Sequence, residues 1–240
     1  MEHLPELVEP VGGATLMEQA YHRLKRDIIE LRRPPGDRFT EQQVAEAWGF
    51  SKTPVREALA RLHRDGLVQP IRRAGYVVAP VTLADAAELC DMRTLLQGEA
   101  AARCAASGLP PERLFRLQAL SSDDGYGQLA GPHLSERLKQ NFEFEAIIAN
   151  GAGHERLAAA IADIFDEIER IVRITVQLAP ALSADRTRAR HAIVTAIESG
   201  DAKRAGTAMR TRAESAKREI LDALALSPGV ASAPITVTGS

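Results

Sequence analysis

A chain of 240 residues with 45% hydrophobic side chains has enough apolar material for one or two buried cores, which sets aside a disordered protein. Aromatics make up only 4%, whereas Ala, Leu, Arg and Glu recur and lose little rotamer freedom in helices, so a mainly α fold is expected. The formal charge of -2 points to no partner by itself, the acidic start broken by Pro5 and Pro10 does not read as a signal peptide, and no run of about 18 apolar residues suggests a membrane span; a soluble, cytoplasmic protein without a membrane partner is expected.

In chain order, residues 1–13 read as a flexible N-terminus. From Ala14 to Leu31, Leu16, Ala20, Leu24, Ile28 and Leu31 recur at three- and four-residue steps, the mark of an amphipathic helix. Pro34-Pro35-Gly36 ends it. A short helix is expected from about Thr40 to Ala47, closed by Gly49, and a third opens at Ser51 with Val55, Ala58, Leu59 and Leu62 on one face. Pro54 lies in its first turn, where a missing backbone donor costs nothing. Two β-type runs, Leu67 to Ile71 and Gly75 to Ala79, flank Arg72-Arg73-Ala74 and read as a hairpin with a basic tip.

After Pro80 the pattern is helical. Helices are expected over about Leu83–Ala106, Pro111–Ser121, Pro132–Asn150, His154–Leu178, Ser183–Glu198 and Asp201–Leu226, with a disordered tail over 227–240. The reading is therefore a winged helix-turn-helix over 14–80 and an all-helical bundle of six or seven helices over 81–226. Cys90 and Cys104, on one helix, lie about 21 Å apart and cannot form a disulfide.

Charge is unevenly shared. Residues 14–80 hold 12 Lys and Arg against 8 Asp and Glu, while residues 81–240 hold 18 against 21, so the basic excess sits where a helix-turn-helix would meet phosphate. The second helix of such a motif enters the major groove, and its start carries Ser51, Lys52, Thr53 and Arg56, opposite the apolar face. Gln42 on the preceding helix can reach base or backbone, and Arg72 and Arg73 are placed for phosphate or the minor groove. Arg61 and Arg64 read as surface charges, and Trp48 and Tyr76 as packing residues.

The run Pro35-Gly36-Asp37-Arg38-Phe39, then Val44-Ala45, Gly49 through Leu59, Leu62, Asp65-Gly66-Leu67-Val68 and Gly75-Tyr76-Val77 closely resembles the GntR-type winged helix over about 65 residues. The resemblance adds Gly75 to the expected DNA interface. Lys52 departs from it, since many members carry Arg there, and a point charge replaces a flat bidentate fork. Asp91-Met92-Arg93, Asn141 through Glu145, and His191-Ala192-Ile193 before Gly200-Asp201 resemble the helical effector-binding and dimerisation domain, the FCD domain, of FadR-type GntR regulators.

That second resemblance implies a homodimer on a pseudo-palindromic DNA operator, controlled by a small-molecule effector and acting as a repressor. Many members hold a divalent metal through an Asp, a His four residues on and two later histidines; those positions read here as Asn141, Glu145, His191 and Arg212. Asn is a weak ligand and Arg cannot donate a lone pair, so no metal cofactor is expected. Arg93 matches a pocket-facing arginine of the family. Three readings stay open: a structural Glu145–Arg212 ion pair, an anion pocket in which Arg212 and Arg93 bind an organic acid, and a residual metal site. A fatty acyl or acyl-CoA effector is an alternative on the same architecture.

An enzyme is not expected. No nucleophile–base pairing or phosphate loop is present, His154-Glu155 has Ala158 where a zinc-protease helix needs its second His, and Gly125-Tyr126-Gly127 lacks a preceding strand.

Overall fold

The computed structural model describes residues 14–122, 134–179 and 186–226, which divide after Thr82 into two compact units. The expected terminal tails, the break around Gly125-Tyr126-Gly127 and the helix start at Ser183 lie outside the described residues.

The first unit contains α1 (Leu16–Ile29), β1 (Arg38–Phe39), α2 (Glu41–Trp48), α3 (Lys52–Arg64), β2 (Val68–Ile71) and β3 (Gly75–Val78). Its core gathers Ala20, Leu24 and Ile28 of α1, Val44 of α2, Val55, Leu59 and Leu62 of α3, and Val68 and Val78 of the hairpin. The apolar stripes legible in the sequence thus meet one another. Trp48 and Tyr76 pack against this core. Arg61 is not a simple surface charge, because its guanidinium lies 3.8 Å from the Tyr21 ring centroid, a cation held over an aromatic face.

The sheet holds one strand more than the expected hairpin. Its order is β1-β3-β2, all antiparallel, with Phe39 opposite Tyr76 and Ile71 opposite Gly75. A two-residue strand such as β1 carries no periodicity of its own, and only pairing with β3 defines it. Gly75 explains how the strands come so close. Its φ is 93°, and a Cβ there would sit 2.3 Å from the Phe39 carbonyl oxygen.

The second unit contains α4 (Leu83–Ser107), α5 (Pro111–Ser122), α6 (Leu134–Gly151), α7 (Glu155–Leu178), α8 (Arg186–Glu198) and α9 (Ala202–Ala225). Six helices are therefore present among the described residues of this unit, and none in either unit is long and apolar enough to cross a membrane. His154 has a local role as N-cap of α7, its ring accepting from the Leu157 amide. Helices α4 and α9 pack along much of their length. A Cβ on Gly206 would lie 3.0 Å from the Gly98 carbonyl oxygen, so small residues let the two backbones approach. Further along, Lys217 pairs with Asp91 at 2.6 Å. Between these two contacts α4 faces Arg212 of α9. Cys90 and Cys104 are both buried free thiols.

Gly75→Ala should destabilise the first unit by more than about 1 kcal/mol, because Ala is strained at positive φ and its methyl meets a carbonyl. Urea unfolding followed by the fluorescence of Trp48, the only tryptophan in the chain, reads this unit directly.

Candidate functional site

The first unit starts its three helices in two different ways. Thr15 with Glu18 and Thr40 with Gln43 form complete capping boxes on α1 and α2, satisfying their leading amides. Ser51 occupies the N-cap of α3 without a side-chain cap hydrogen bond, and no acidic residue lies in the first turn. A helix start left in this state presents amide donors and a positive dipole end to an incoming anion. Gly49, with φ 68°, ends α2 and makes the turn that delivers α3 there.

Ser51, Lys52, Thr53 and Arg56 all lie exposed at that end of α3. Arg56 has its side chain 65% exposed, yet Nε and Nη2 donate to Glu41 Oε2 at 3.0 and 2.9 Å. The Tyr76 hydroxyl donates to the other oxygen of Glu41 at 3.4 Å. One carboxylate thus ties together the first turn of α2, the exposed Arg56 of α3 and the wing. Sequence reasoning missed Glu41, because no periodicity reveals that residues 15 and 35 positions away converge on it. Lys52 Nζ donates to Gln42 Oε1 at 3.3 Å, and Gln42 Nε2 donates to Glu46 at 2.7 Å, so Gln42 and Lys52 form one exposed polar row.

Arg72 and Arg73 are exposed at the hairpin tip, and Arg73 has a φ of 61°, in the left-handed region where Gly is cheapest. Gly75 stands apart from the other expected DNA contacts, since the close approach to β1 already accounts for it.

In the second unit a ring of polar side chains closes around Glu145, whose side chain is fully buried. Arg93 Nη2 donates to Glu145 Oε1 at 2.5 Å, Arg212 Nη1 to the same oxygen at 2.9 Å, and Asn141 Nδ2 also reaches it at 3.1 Å. Gln97 Nε2 donates to Oε2 at 2.6 Å. Asn141 Oδ1 in turn accepts from Arg212 Nη2 at 2.6 Å and from Arg190 Nη2 at 2.9 Å. Arg190 also donates to the Leu120 carbonyl at 2.9 Å, and its guanidinium stands 5.0 Å from the Phe144 ring centroid. Four helices, α4, α6, α8 and α9, each supply at least one member.

Arg93, Asn141, Glu145 and Arg212 are brought together. His191 is not. It lies exposed on α8, and the member from that helix is its neighbour Arg190, 1% exposed. One step along a helix turns a side chain by about 100°, so a placement off by one residue moves it from the core to the surface. The inward positions of α8, Arg190, Ile193, Val194 and Ile197, follow the helical period and were the signal available in the sequence. Gln97, one turn beyond Arg93 on α4, was also missed.

The residues do not fit the divalent ion that the family resemblance implies. With Arg190 standing inward in place of His191, two of the four positions are guanidiniums, which offer no lone pair, and both atoms of the Asn141 amide and both oxygens of Glu145 already have partners. Among the described residues no three His, Cys, Asp or Glu side chains are grouped to hold a metal.

Burial alone would raise the Glu145 carboxyl, but the charges of Arg93 and Arg212 and their hydrogen bonds outweigh it and hold the group at about 2. Burial lowers Arg212 to about 10, which leaves it cationic at neutral pH. A carboxyl depressed in the folded state contributes stability above its unfolded pKa, and loses that contribution as pH falls through the folded value. Wild type should therefore exceed Glu145→Gln in stability by about 3 kcal/mol at neutral pH. The gap should close as pH falls from about 5 towards about 2, measured by denaturation followed by circular dichroism.

Comparison with known proteins places both units. The family model described as bacterial regulatory proteins, gntR family, matches residues 16–78, and that of the FCD domain matches residues 88–215. An uncharacterized HTH-type transcriptional regulator of Agrobacterium vitis is 36% identical over 110 residues, covering 45% of this chain and 64% of that protein. A second, from an unstable DNA locus of Streptomyces ambofaciens, is 28% identical over 204 residues, 83% of each chain. Among solved structures, Escherichia coli McbR/YncC shares the fold with a TM-score of 0.71 at 22% identity, covering 87% of this chain and 98% of that one. With a winged helix followed by a helical unit that the FCD model spans, the chain belongs to the GntR family of bacterial regulatory proteins and is a DNA-binding transcriptional regulator of the FCD-containing group.

Proposed function

We propose that this protein is a homodimeric, cytoplasmic repressor that reads a short pseudo-palindromic operator through residues 14–80 and is released by an organic acid bound within residues 81–226. The observation that carries the DNA half is the uncapped, acid-free start of α3, with Arg56 fastened to Glu41 beside it. Ser51 and the leading amides take a phosphate, Lys52, Thr53 and Gln42 face the groove, and Arg56 is ordered before DNA arrives, so less side-chain entropy is lost on binding. Arg72 and Arg73 on the wing contact phosphate or the minor groove. A cation retained at left-handed φ, where Gly would be easier, supports a use for that charge.

Dimerisation through the helical unit sets the spacing of two recognition helices, so half-sites one helical turn apart are expected. The effector acts by binding more tightly to a dimer geometry that no longer matches that spacing. The polar cluster of Gln97, Asn141 and Glu145 around Arg93 and Arg212 suits an acid better than an acyl chain, whose length calls for an apolar pocket. The family model that matches residues 16–78 describes regulatory proteins, which supports a regulator over an enzyme.

Selection from a random DNA pool should return a short inverted repeat. Arg56→Ala should bind that repeat roughly tenfold to a hundredfold more weakly while keeping wild-type Trp48 fluorescence. Arg73→Ala should weaken binding to all sequences alike and reduce the slope of log affinity against log salt by about 1. Recovery of no sequence at all, or undiminished binding by Arg56→Ala, would overturn the assignment.

A further inference from the structure

One side of the winged-helix unit carries positive charge that lies away from the groove-reading face of α3. Gln19, His22, Arg23 and Arg26 occupy positions i, i+3, i+4 and i+7 of α1, hence one side of that helix, and they line an open cleft that Phe50, in the turn between α2 and α3, also borders. Arg32, just past the end of α1, borders it too, but its charge is met locally. Its Nε donates to Asp27 Oδ1 at 2.6 Å, and its Nη1 pairs with Glu30. Asp27 is the one acid among the described residues that line the cleft, and it is thereby occupied. Arg23 and Arg26 have no acidic partner among the described residues, so two guanidiniums keep their donors for something that comes from outside.

Arg23 is held ready for it. Its guanidinium carbon lies 4.5 Å from the centroid of the Trp48 ring, and Trp48 in turn meets Phe50 edge-on at 6.1 Å. A cation over an aromatic face gives up its flat side and keeps its N–H donors, which lie in the guanidinium plane. Rotamer freedom is thus reduced before any ligand arrives. Guanidinium forks match the oxygens of a phosphate. Position selects the source of that phosphate. Phe50 directly precedes Ser51, the N-cap of α3, whose side chain makes no cap hydrogen bond. The cleft therefore opens beside the helix end that meets DNA, and a bound duplex carries its backbone past both.

We propose that the α1 cleft is a second phosphate seat for operator DNA, in which Arg23 and Arg26 hold one backbone phosphate outside the major groove that α3 reads. Resting on the reading of α3 as the recognition helix, this seat adds a contact from a different helix. A phosphate held on α1 and another at the start of α3 grip the duplex at two separate points, which limits how far α3 can swivel in the groove. The seat strengthens binding to every sequence alike, because a phosphate carries no base identity.

Full-length protein bound to the selected inverted repeat tests this. Arg23→Gln and Arg26→Gln together should weaken binding about tenfold at physiological salt, for the repeat and for unrelated duplex alike, and lower the slope of log affinity against log salt by about 1. Operators with one neutral methylphosphonate, moved stepwise along the backbone, should locate the seat. At one position in each half-site the neutral link should weaken wild type severalfold and leave the double variant unchanged. Arg26→Gln alone, which leaves the cation over Trp48 in place, should show the same loss of sensitivity there, so the test survives a double variant that folds poorly. In wild type, bound operator should also shield Trp48, beneath Arg23, from quenching by acrylamide. An unchanged salt slope, methylphosphonate profiles identical in wild type and Arg26→Gln, or Trp48 quenched equally with and without operator would each overturn the seat. Any of these results alongside weakened binding by Arg56→Ala would leave the recognition helix standing, whereas undiminished binding by Arg56→Ala would remove that reading instead.

Discussion

The polar interior of the helical unit depends on one buried carboxylate. Glu145 cannot lie in an apolar interior as an ion unless its charge is met, and it is met by Arg93 and Arg212 with Gln97 and Asn141 completing its oxygens. Each cation is itself too costly to bury alone. The cluster is consequently a mutual arrangement in which no member is tolerable without the others, and its members come from helices far apart in the chain. Hydrophobic packing alone would tolerate small shifts between helices. A set of hydrogen bonds in a low-dielectric interior does not, and that stiffness makes the cluster a sensible place for a ligand to act.

The DNA-binding unit uses the opposite strategy, leaving polar groups unmet where they face solvent. Its first two helices close their N-termini with reciprocal capping boxes, and its third leaves that end open. A cap on α3 would add about 1 kcal/mol to stability and would occupy the donors that a phosphate needs. Glu41 compensates in part, fastening Arg56 and Tyr76 so that helix and wing keep their relation. Stability is thus given up at one helix end and recovered through side chains around it, the usual division between a functional surface and its support.

Much of this was legible from residue order. The apolar periodicity of α1 and α3, the Gly49 turn, the basic hairpin tip and six later helices all follow from local spacing and propensity, which depend only on neighbours a few positions apart. The family pattern located the helix-turn-helix itself. What failed was also instructive. Strand β1 is too short to have a period, Glu41 acts across the fold, and on α8 it is Arg190, not the expected His191, that turns inward.

By itself, then, the sequence determined which segments are helical, where the basic excess lies and which side chains begin the recognition helix, because those features are set by local backbone geometry and by residue type. Only the tertiary structure decided how α4, α6, α8 and α9 meet, and so that Gln97 and Arg190 join Arg93, Asn141, Glu145 and Arg212. Burial is a property of packed helices and not of any one segment. It alone turns ordinary polar residues into one hydrogen-bonded cluster.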